Sequence, residues 1–258
     1  MNRTGLLIAL AIAAIVGLLF GIDPALDLKI AAPFFDPHGN GFWLRVDPVS
    51  NWVRTLGLWT VTAIVAPAFL ALAWKLILPR RKLLMPGRAI VFLIATIALA
   101  PGLVTNVILK DNWGRSRPVD VKEFGGDERF VPWWDPRGDC PKNCSFVSGE
   151  ASGAFWTLAP AALTPPPWRA LAYGASLIFG SVIGLVRMAG GGHFFTDTVF
   201  AGVFTFLIIW IVHGLLYRFR ATRVTDEAVE RVIEWIALPG YTALERLVAR
   251  LRGGLKSL

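Results

Sequence analysis

Long apolar blocks separated by short polar segments make up most of the chain. Six blocks are long enough to be considered as membrane spans, because about 20 apolar residues are needed to cross a bilayer. They comprise residues 5–22, 52–78, 89–109, 148–163, 170–188 and 194–216. The fourth and the sixth carry polar residues at one end. This pattern predicts an all-α fold, a polytopic membrane protein built as a six-transmembrane-helix bundle.

The first block also has the outline of a secretory signal, since Arg3 precedes its apolar stretch. No A-x-A-like cleavage site follows in GLLFGIDPA, however. An uncleaved first helix is therefore the favoured interpretation.

Composition agrees with a membrane protein, since 55% of the residues are hydrophobic and 17% are charged. The net charge of +8 would suit a nucleic-acid binder. The Lys and Arg residues, however, are dispersed between the apolar blocks and form no interleaved basic and aromatic surface. We expect a membrane environment and no nucleic-acid partner, and the sequence does not indicate an oligomeric state.

Lys and Arg residues near the ends of the spans indicate the orientation, because cytoplasmic loops carry an excess of them. The inside segments hold Arg3, five cations between residues 75 and 88, Arg169, and three cations between residues 218 and 223. This distribution predicts that the N-terminus and the C-terminus are both inside. It places residues 110–147 outside, although that loop carries seven Lys or Arg residues. The excess calls for a reason other than topology.

The predicted organisation is one transmembrane domain, residues 1–220, followed by an amphipathic cytoplasmic tail, residues 221–258. Two apolar helical stripes flank Pro239-Gly240, which is expected to break the helix. The stripes are Val229, Val232, Ile233 and Ile236, then Leu244, Leu247, Val248, Leu251 and Leu255. Two interpretations remain open: the tail lies on an anionic inner leaflet, or it packs on loops of its own chain.

The two cysteines, Cys140 and Cys144, both fall in the outside loop. An oxidising periplasm would allow a local disulfide there, which is the favoured interpretation. Two free thiols or half of a metal site are the alternatives.

Three polar clusters lie at the predicted outer ends of spans. The first, KDNWGRSRP, contains Lys110 and Arg117. Cations seven residues apart at a helix end can reach one anion, the lysine as a point charge and the arginine as a bidentate fork. A loop that binds lipid headgroups is an equal alternative.

The second cluster is Ser148, Gly149 and Glu150, at the start of the fourth span. A helix N-terminus offers unpaired backbone N–H groups to an anion, and glycine permits close approach. A serine cap with a small-residue packing face, Gly149, Ala151, Gly153 and Ala154, is compatible with this function. Packing alone does not explain Glu150, because a charged group at membrane depth is costly.

The third cluster contains Arg187, His193 and Asp197. His193 and Asp197 are four residues apart, so the carboxylate is expected to accept one imidazole N–H if the helix begins near His193. The other ring nitrogen would then be free to attack.

Together the clusters read Lys-x6-Arg-Pro, Ser-Gly-Glu and Arg-x5-His-x3-Asp. In this order and spacing they resemble the motifs of the type 2 phosphatidic acid phosphatase superfamily, which includes integral-membrane lipid phosphate phosphatases. The resemblance covers about residues 89–216. The first two spans and the tail match only in general architecture.

The resemblance implies a role for each residue. Phosphoryl oxygens would be bound by Lys110, Arg117, Arg187, Ser148 and the Gly149 amide. His193 would be the nucleophile that forms a phosphohistidine, and Asp197 would be its partner. No metal or other cofactor is implied, because fixed cations and a helix N-terminus supply the charge stabilisation.

Two positions depart from the family pattern. Val186 replaces a serine, which is a mild change, and Glu150 replaces the histidine that serves the family as general acid. A carboxylic acid can protonate a leaving oxygen if its pKa is raised. Burial raises that pKa and nearby cations lower it, so the protonation state stays open.

The expected function is a metal-independent lipid phosphate phosphatase in the bacterial inner membrane, with its active site facing the periplasm. The resemblance suggests lipid A, phosphatidylglycerophosphate, phosphatidic acid or undecaprenyl diphosphate as substrate, and Glu150 favours a specialised subgroup such as lipid A phosphatases. The alternatives are a lipid-to-lipid phosphotransferase and a non-catalytic lipid-phosphate binding or transport protein. The presence of His193 and Asp197 argues against the last, because simple anion binding needs neither.

Overall fold

The fold is built almost entirely from helices. The computed structural model describes residues 2–39 and 41–254. The helices are α1 (Arg3–Ile22), α2 (Ala25–Ala31), α3 (Pro48–Ile77), α4 (Gly87–Asn112), α5 (Gly149–Phe155), α6 (Leu158–Leu163), α7 (Pro166–Ala189), α8 (Phe195–Arg218) and α9 (Asp226–Gly254). Short 3-10 turns cover Ala32–Phe34, Pro118–Asp120 and Lys122–Phe124. Strands β1 (Phe35–Asp36) and β2 (Gly41–Phe42) form a small antiparallel hairpin in which Phe35 pairs with Phe42.

Five helices are long and apolar enough to cross a membrane, namely α1, α3, α4, α7 and α8. Many of their large apolar side chains are exposed, such as Leu18 on α1 and Ile178 on α7. Such side chains suit contact with lipid. The predicted class, an all-α polytopic membrane protein, is confirmed.

The fourth predicted span differs from the expectation of one continuous helix over residues 148–163. It is divided into the short helices α5 and α6, separated at Trp156 and Thr157. The Thr157 hydroxyl donates to the Ala154 carbonyl at 2.7 Å, and such side-chain bonds compete with the helical ladder. The count of six spans is therefore not confirmed and stays a prediction.

Residue contacts divide the chain into two compact units. Unit 1 comprises Met1–Ile64 and Ala95–His213, and unit 2 comprises Val65–Ile94 and Gly214–Leu258. The domain boundary predicted at residue 220 stays a prediction.

Unit 1 has α5 at its centre, where it contacts α7, α8 and the last turns of α4. A cluster of buried apolar side chains surrounds it, including Leu109, Phe146, Phe155 and Phe200. Gly180 of α7 lies directly against the Phe155 ring, and a β-carbon there would overlap the ring. The small residue therefore brings α7 close to α5, as in other membrane helix pairs.

The segment of unit 1 between α1 and α3 contains α2 and the β hairpin, which contribute side chains to a second buried apolar cluster. Phe42 and Phe194 belong to this cluster and are 2% and 0% exposed. Phe194 precedes α8 directly, so the packing fixes the start of that helix. In the loop after α4, Cys140 and Cys144 form a disulfide, which was the favoured interpretation of these residues.

Unit 2 contains the tail as the single helix α9. The expected break at Pro239-Gly240 is wrong, because the helix continues through both residues. Ion pairs join α9 to residues 75–88 of the same unit: Lys75 with Glu230 and Glu234, Arg80 with Glu245, and Arg88 with Asp226. These contacts support packing of the tail on its own chain. The last predicted stripe residue, Leu255, lies outside the described residues.

Candidate active site

His193 lies in the link between α7 and α8, and it is 2% exposed. Its Nδ1 atom is 2.7 Å from the carbonyl oxygen of Ser145. A carbonyl can only accept a hydrogen bond, so this contact assigns the imidazole proton to Nδ1. Nε2 is then unprotonated, as a nucleophile requires.

This backbone contact replaces the expected hydrogen bond between His193 and Asp197. Nδ1 is 3.8 Å from Asp197 Oδ2, which is beyond hydrogen-bond distance. The helix begins only at Phe195, so His193 and Asp197 are not stacked on one helical face. Asp197 instead acts through Ser145, whose hydroxyl donates to Oδ2. The carboxylate also accepts the backbone N–H of Phe194 at 2.8 Å.

Arg115 is the fully buried partner of Asp197, with 0% of its surface exposed. Its guanidinium donates to Asp197 Oδ1 at 2.6 Å and to Asp27 Oδ2 at 2.7 Å. Asp27, on α2, also accepts the hydroxyl and the backbone N–H of Thr196, at 2.6 Å and 3.1 Å. One cation thus links two buried carboxylates from different elements.

Sequence reasoning missed the roles of Arg115 and Asp27. Arg115 was counted only among the seven cations of residues 110–147, and Asp27 was not singled out. The available signal was the position of Arg115 between Lys110 and Arg117, inside a cluster already singled out. Nothing in the sequence pointed to Asp27.

Burial lowers the pKa of His193 from its ordinary value of 6.5 to about 4. The Asp197 carboxylate opposes this shift, and the positive charges of Arg187 and Arg117 add to it. The imidazole is therefore neutral at neutral pH. A neutral ring with Nδ1 bound to a carbonyl can use Nε2 as a nucleophile.

The start of α5 is the place where the sequence predicts an anion seat. Ser148 caps the helix, since its Oγ accepts the backbone N–H of Ala151 at 3.5 Å. Its own N–H donates to the Asp197 carbonyl at 3.2 Å. A β-carbon on Gly149 would lie 2.8 Å from Asn106 Oδ1 and 3.6 Å from the Lys110 ammonium. Glycine thus keeps the first turn of α5 open beside a cation.

The three predicted cations, Lys110, Arg117 and Arg187, differ in their contacts. The Lys110 ammonium interacts electrostatically with the charges of Arg117, Arg187 and Glu150. Arg117 donates to the backbone oxygen of Asn143 at 2.7 Å. Arg187 Nε is buried and makes no hydrogen bond within the described part of the chain. The Arg187 guanidinium also occupies the space that a β-carbon on Gly192 would need. An orphaned buried N–H is suited to an anionic ligand.

Glu150 is bound by an arginine that the sequence analysis did not single out. Arg54, on α3, contacts both carboxylate oxygens, with Nε 2.9 Å from Oε2 and Nη2 2.7 Å from Oε1. Arg187 Nε lies 3.6 Å from Oε1. The ion pair with Arg54 stabilises the ionised carboxylate in the free protein. Arg54 has a sequence signal, because a charged residue inside an apolar span is by default a functional candidate.

The arrangement joins a neutral histidine, a helix N-terminus and several fixed cations. Phosphoryl transfer requires a nucleophile and stabilisation of charge on the transferred oxygens, and these groups can supply both. Among the described residues, no group of three His, Cys, Asp or Glu side chains is placed to hold a metal ion. A helical membrane protein with such a site falls in the class of membrane phosphoryl-transfer enzymes.

The family is shown by sequence comparison. The sequence model of the PAP2 superfamily matches residues 88–221. Because this is more than half of the chain, the protein belongs to the PAP2 superfamily, as its motifs predicted.

Three similar proteins are lipid A 4'-phosphatases. The one from Francisella tularensis subsp. novicida (strain U112) is 34% identical over 219 residues, which are 84% of this chain and 98% of the relative. The one from Rhizobium leguminosarum is 37% identical over 41% of this chain and 46% of the relative. The one from Rhizobium etli is 36% identical over 40% of each chain. No solved structure matches the chain. The protein is therefore a multi-pass membrane lipid phosphatase, a phosphoric monoester hydrolase.

Replacing Arg115 tests the buried network. Arg115→Met leaves Asp27 and Asp197 buried without their cation, and we expect a loss of about 3–5 kcal/mol of stability. Thermal unfolding in detergent should show a clear drop in Tm. The exposed Arg45 offers a matched control, since Arg45→Met removes a cation of the same unit. Equal Tm values for the two variants would contradict the importance of this network.

The lowered pKa of His193 predicts the acidic limb of the pH profile. For a neutral imidazole nucleophile at His193, kcat/KM should rise with pH through about 4, where a histidine with the ordinary pKa would give a limb near 6.5. The profile measured on a lipid phosphate checks this. A midpoint near 6.5 would show that burial does not lower the pKa of the catalytic ring.

Proposed function

We propose that the protein removes the 4'-phosphate of lipid A at the periplasmic face of the bacterial inner membrane. The substrate is inferred from one observation, the 34% identity across 98% of the length of a lipid A 4'-phosphatase. The match extends well outside the PAP2 region, which covers residues 88–221.

The proposed reaction passes through a phosphohistidine. Nε2 of His193 attacks phosphorus while the bond between phosphorus and the lipid oxygen breaks. Protonated Glu150 gives its proton to that leaving oxygen. Water then attacks the phosphohistidine, and the Glu150 carboxylate takes up a proton from it, so that inorganic phosphate and free His193 are formed.

Charge stabilisation in this mechanism falls to groups already present in the site. Lys110, Arg117 and Arg187 neutralise the phosphoryl oxygens, and the N–H groups at the start of α5 add the positive end of a helix dipole. Asp197 is a positioning residue, because it accepts the Ser145 hydroxyl and the Ser145 carbonyl in turn contacts Nδ1 of His193. The proposal requires no metal ion.

The proposed topology follows the distribution of Lys and Arg. With both termini inside, the link that carries His193 and the start of α5 face the periplasm. The divided helix pair α5 and α6 would then complete a sixth crossing inside the bundle, where irregular backbone is tolerated because it is buried in protein.

A panel of lipid phosphates tests the substrate. Purified protein with chelator present should release phosphate from lipid A faster than from phosphatidylglycerophosphate, phosphatidic acid or undecaprenyl diphosphate. His193→Ala should abolish release, and wild-type protein should form an acid-labile phosphoprotein that this variant lacks. Transfer of label to a second lipid would indicate a phosphotransferase. Phosphate binding without any turnover would indicate a binding or transport protein.

Glu150→Gln tests the proton donor. An amide cannot transfer a proton to the leaving oxygen, so we expect kcat to fall by about 10²- to 10⁴-fold while phosphate binding is not lost. In the free wild-type enzyme Arg54 favours the ionised carboxylate, so kcat/KM should decline as the pH rises above mildly acidic values, and the variant should lack that decline. An unchanged rate would remove Glu150 from the mechanism.

A further inference from the structure

Arg54 is placed like a ligand of the phosphate, although it lies outside the three motifs. It extends from α3 to the first turn of α5 and holds Glu150 through Nε and Nη2. Within the described residues, its one further hydrogen bond joins Nη1 to Asn51 Oδ1 at 3.2 Å. The Nε and Nη2 groups of Arg54 are therefore both bound to the Glu150 carboxylate, at the start of α5 where the phosphate is proposed to bind.

The carboxylate of Glu150 occupies the space between two guanidinium groups. Oε1 lies 2.7 Å from Arg54 Nη2 and 3.6 Å from Arg187 Nε. The Arg187 Nε–H has no hydrogen-bond partner among the described residues. A tetrahedral anion with several oxygens could form hydrogen bonds with both arginines at once, whereas the flat carboxylate forms hydrogen bonds with Arg54 only.

The ion pair is open enough to be exchanged. The side chains of Arg54 and Glu150 are 35% and 37% exposed. Ion pairs with this exposure contribute little to stability, because solvent screens the charges and holding two long side chains in one geometry costs entropy. A phosphate dianion carries more charge than a carboxylate and also forms bidentate bonds with arginine, so it competes effectively for the same fork.

We propose that Arg54 is a further phosphate-binding residue, and that Glu150 is its counter-ion in the free enzyme and is exchanged for the phosphate of the substrate. Glu150 then keeps Arg54 oriented toward the seat until the substrate arrives. After the exchange the carboxylate lies beside the phosphate, without its guanidinium partner. The inference deepens the proposed function, because it adds a residue to the same site.

Inorganic phosphate is the probe, measured by calorimetry on the full chain purified in detergent. Glu150→Gln should bind phosphate about 3- to 10-fold more tightly than wild type, because Arg54 is released from its counter-ion. Adding Arg54→Gln to this variant should weaken binding by about tenfold, the effect of one lost bidentate contact. Adding Arg54→Lys should give an intermediate loss, because it keeps the charge without the fork.

The Glu150→Gln background separates the proposal from a purely structural ion pair. If Arg54 only held Glu150, its replacement would have no further effect once Glu150 is gone. The matched control adds Arg45→Gln, which removes an exposed arginine of the same unit and should leave phosphate binding unchanged. If Arg54→Gln behaves like this control, or if Glu150→Gln alone binds phosphate more weakly, the proposal is overturned.

The outcome is independent of the lipid substrate. Binding of inorganic phosphate requires no turnover and no lipid A, so failure of the lipid A assay would leave this test intact. Circular dichroism and gel filtration of each variant distinguish a lost contact from a lost fold.

Discussion

The active site depends on one buried cation. Arg115 has no exposed surface and contacts Asp27 from α2 and Asp197 from α8. Each of these charges would be very costly to bury alone, so the three groups stabilise one another only in this arrangement. The loop after α4, the short helix α2 and the start of α8 are thereby joined through one guanidinium.

The orientation of His193 follows from this buried network of Arg115, Asp27 and Asp197. Asp197 binds the Ser145 hydroxyl and the Phe194 backbone, and the Ser145 carbonyl in turn binds Nδ1 of His193. The histidine is thus positioned by a backbone group, while the carboxylate fixes the segment that carries it. Since a carbonyl cannot donate, the ring keeps its proton on Nδ1 and its free lone pair on Nε2. The carboxylate in the His-x3-Asp motif therefore serves as the anchor of a network.

The ion pair with Arg54 explains how the site accommodates Glu150 in place of the histidine that is usual in the family. A carboxylate at the first turn of α5 benefits from the helix dipole, but it also occupies the place of an anionic ligand. Pairing with Arg54 gives that charge a partner from α3. Glutamate and arginine thus form a unit, and the site holds one more cation than the three motifs contain.

The sequence by itself determined the class of fold and the family, and it supplied the prediction of the site residues. Apolar blocks of membrane length, three spaced motifs and the dispersal of Lys and Arg are local properties, and they can be read without coordinates. Predicted residues such as Lys110, Ser148, Gly149, Glu150, Arg187 and His193 do lie around one helix N-terminus. The small-residue content of residues 148–163 did not show that the segment divides at Trp156, and the proline at 239 did not end α9.

Only the tertiary structure decided which groups pair. Arg54 and Glu150 are 96 residues apart, and Arg115 and Asp27 are 88 apart, so no sequence period connects them. The pairing of His193 with a backbone carbonyl was hidden for a related reason, since every residue has a carbonyl and its position depends on the fold. Charges separated in sequence become partners when burial makes an unpaired charge too costly, and burial is a property of the folded chain.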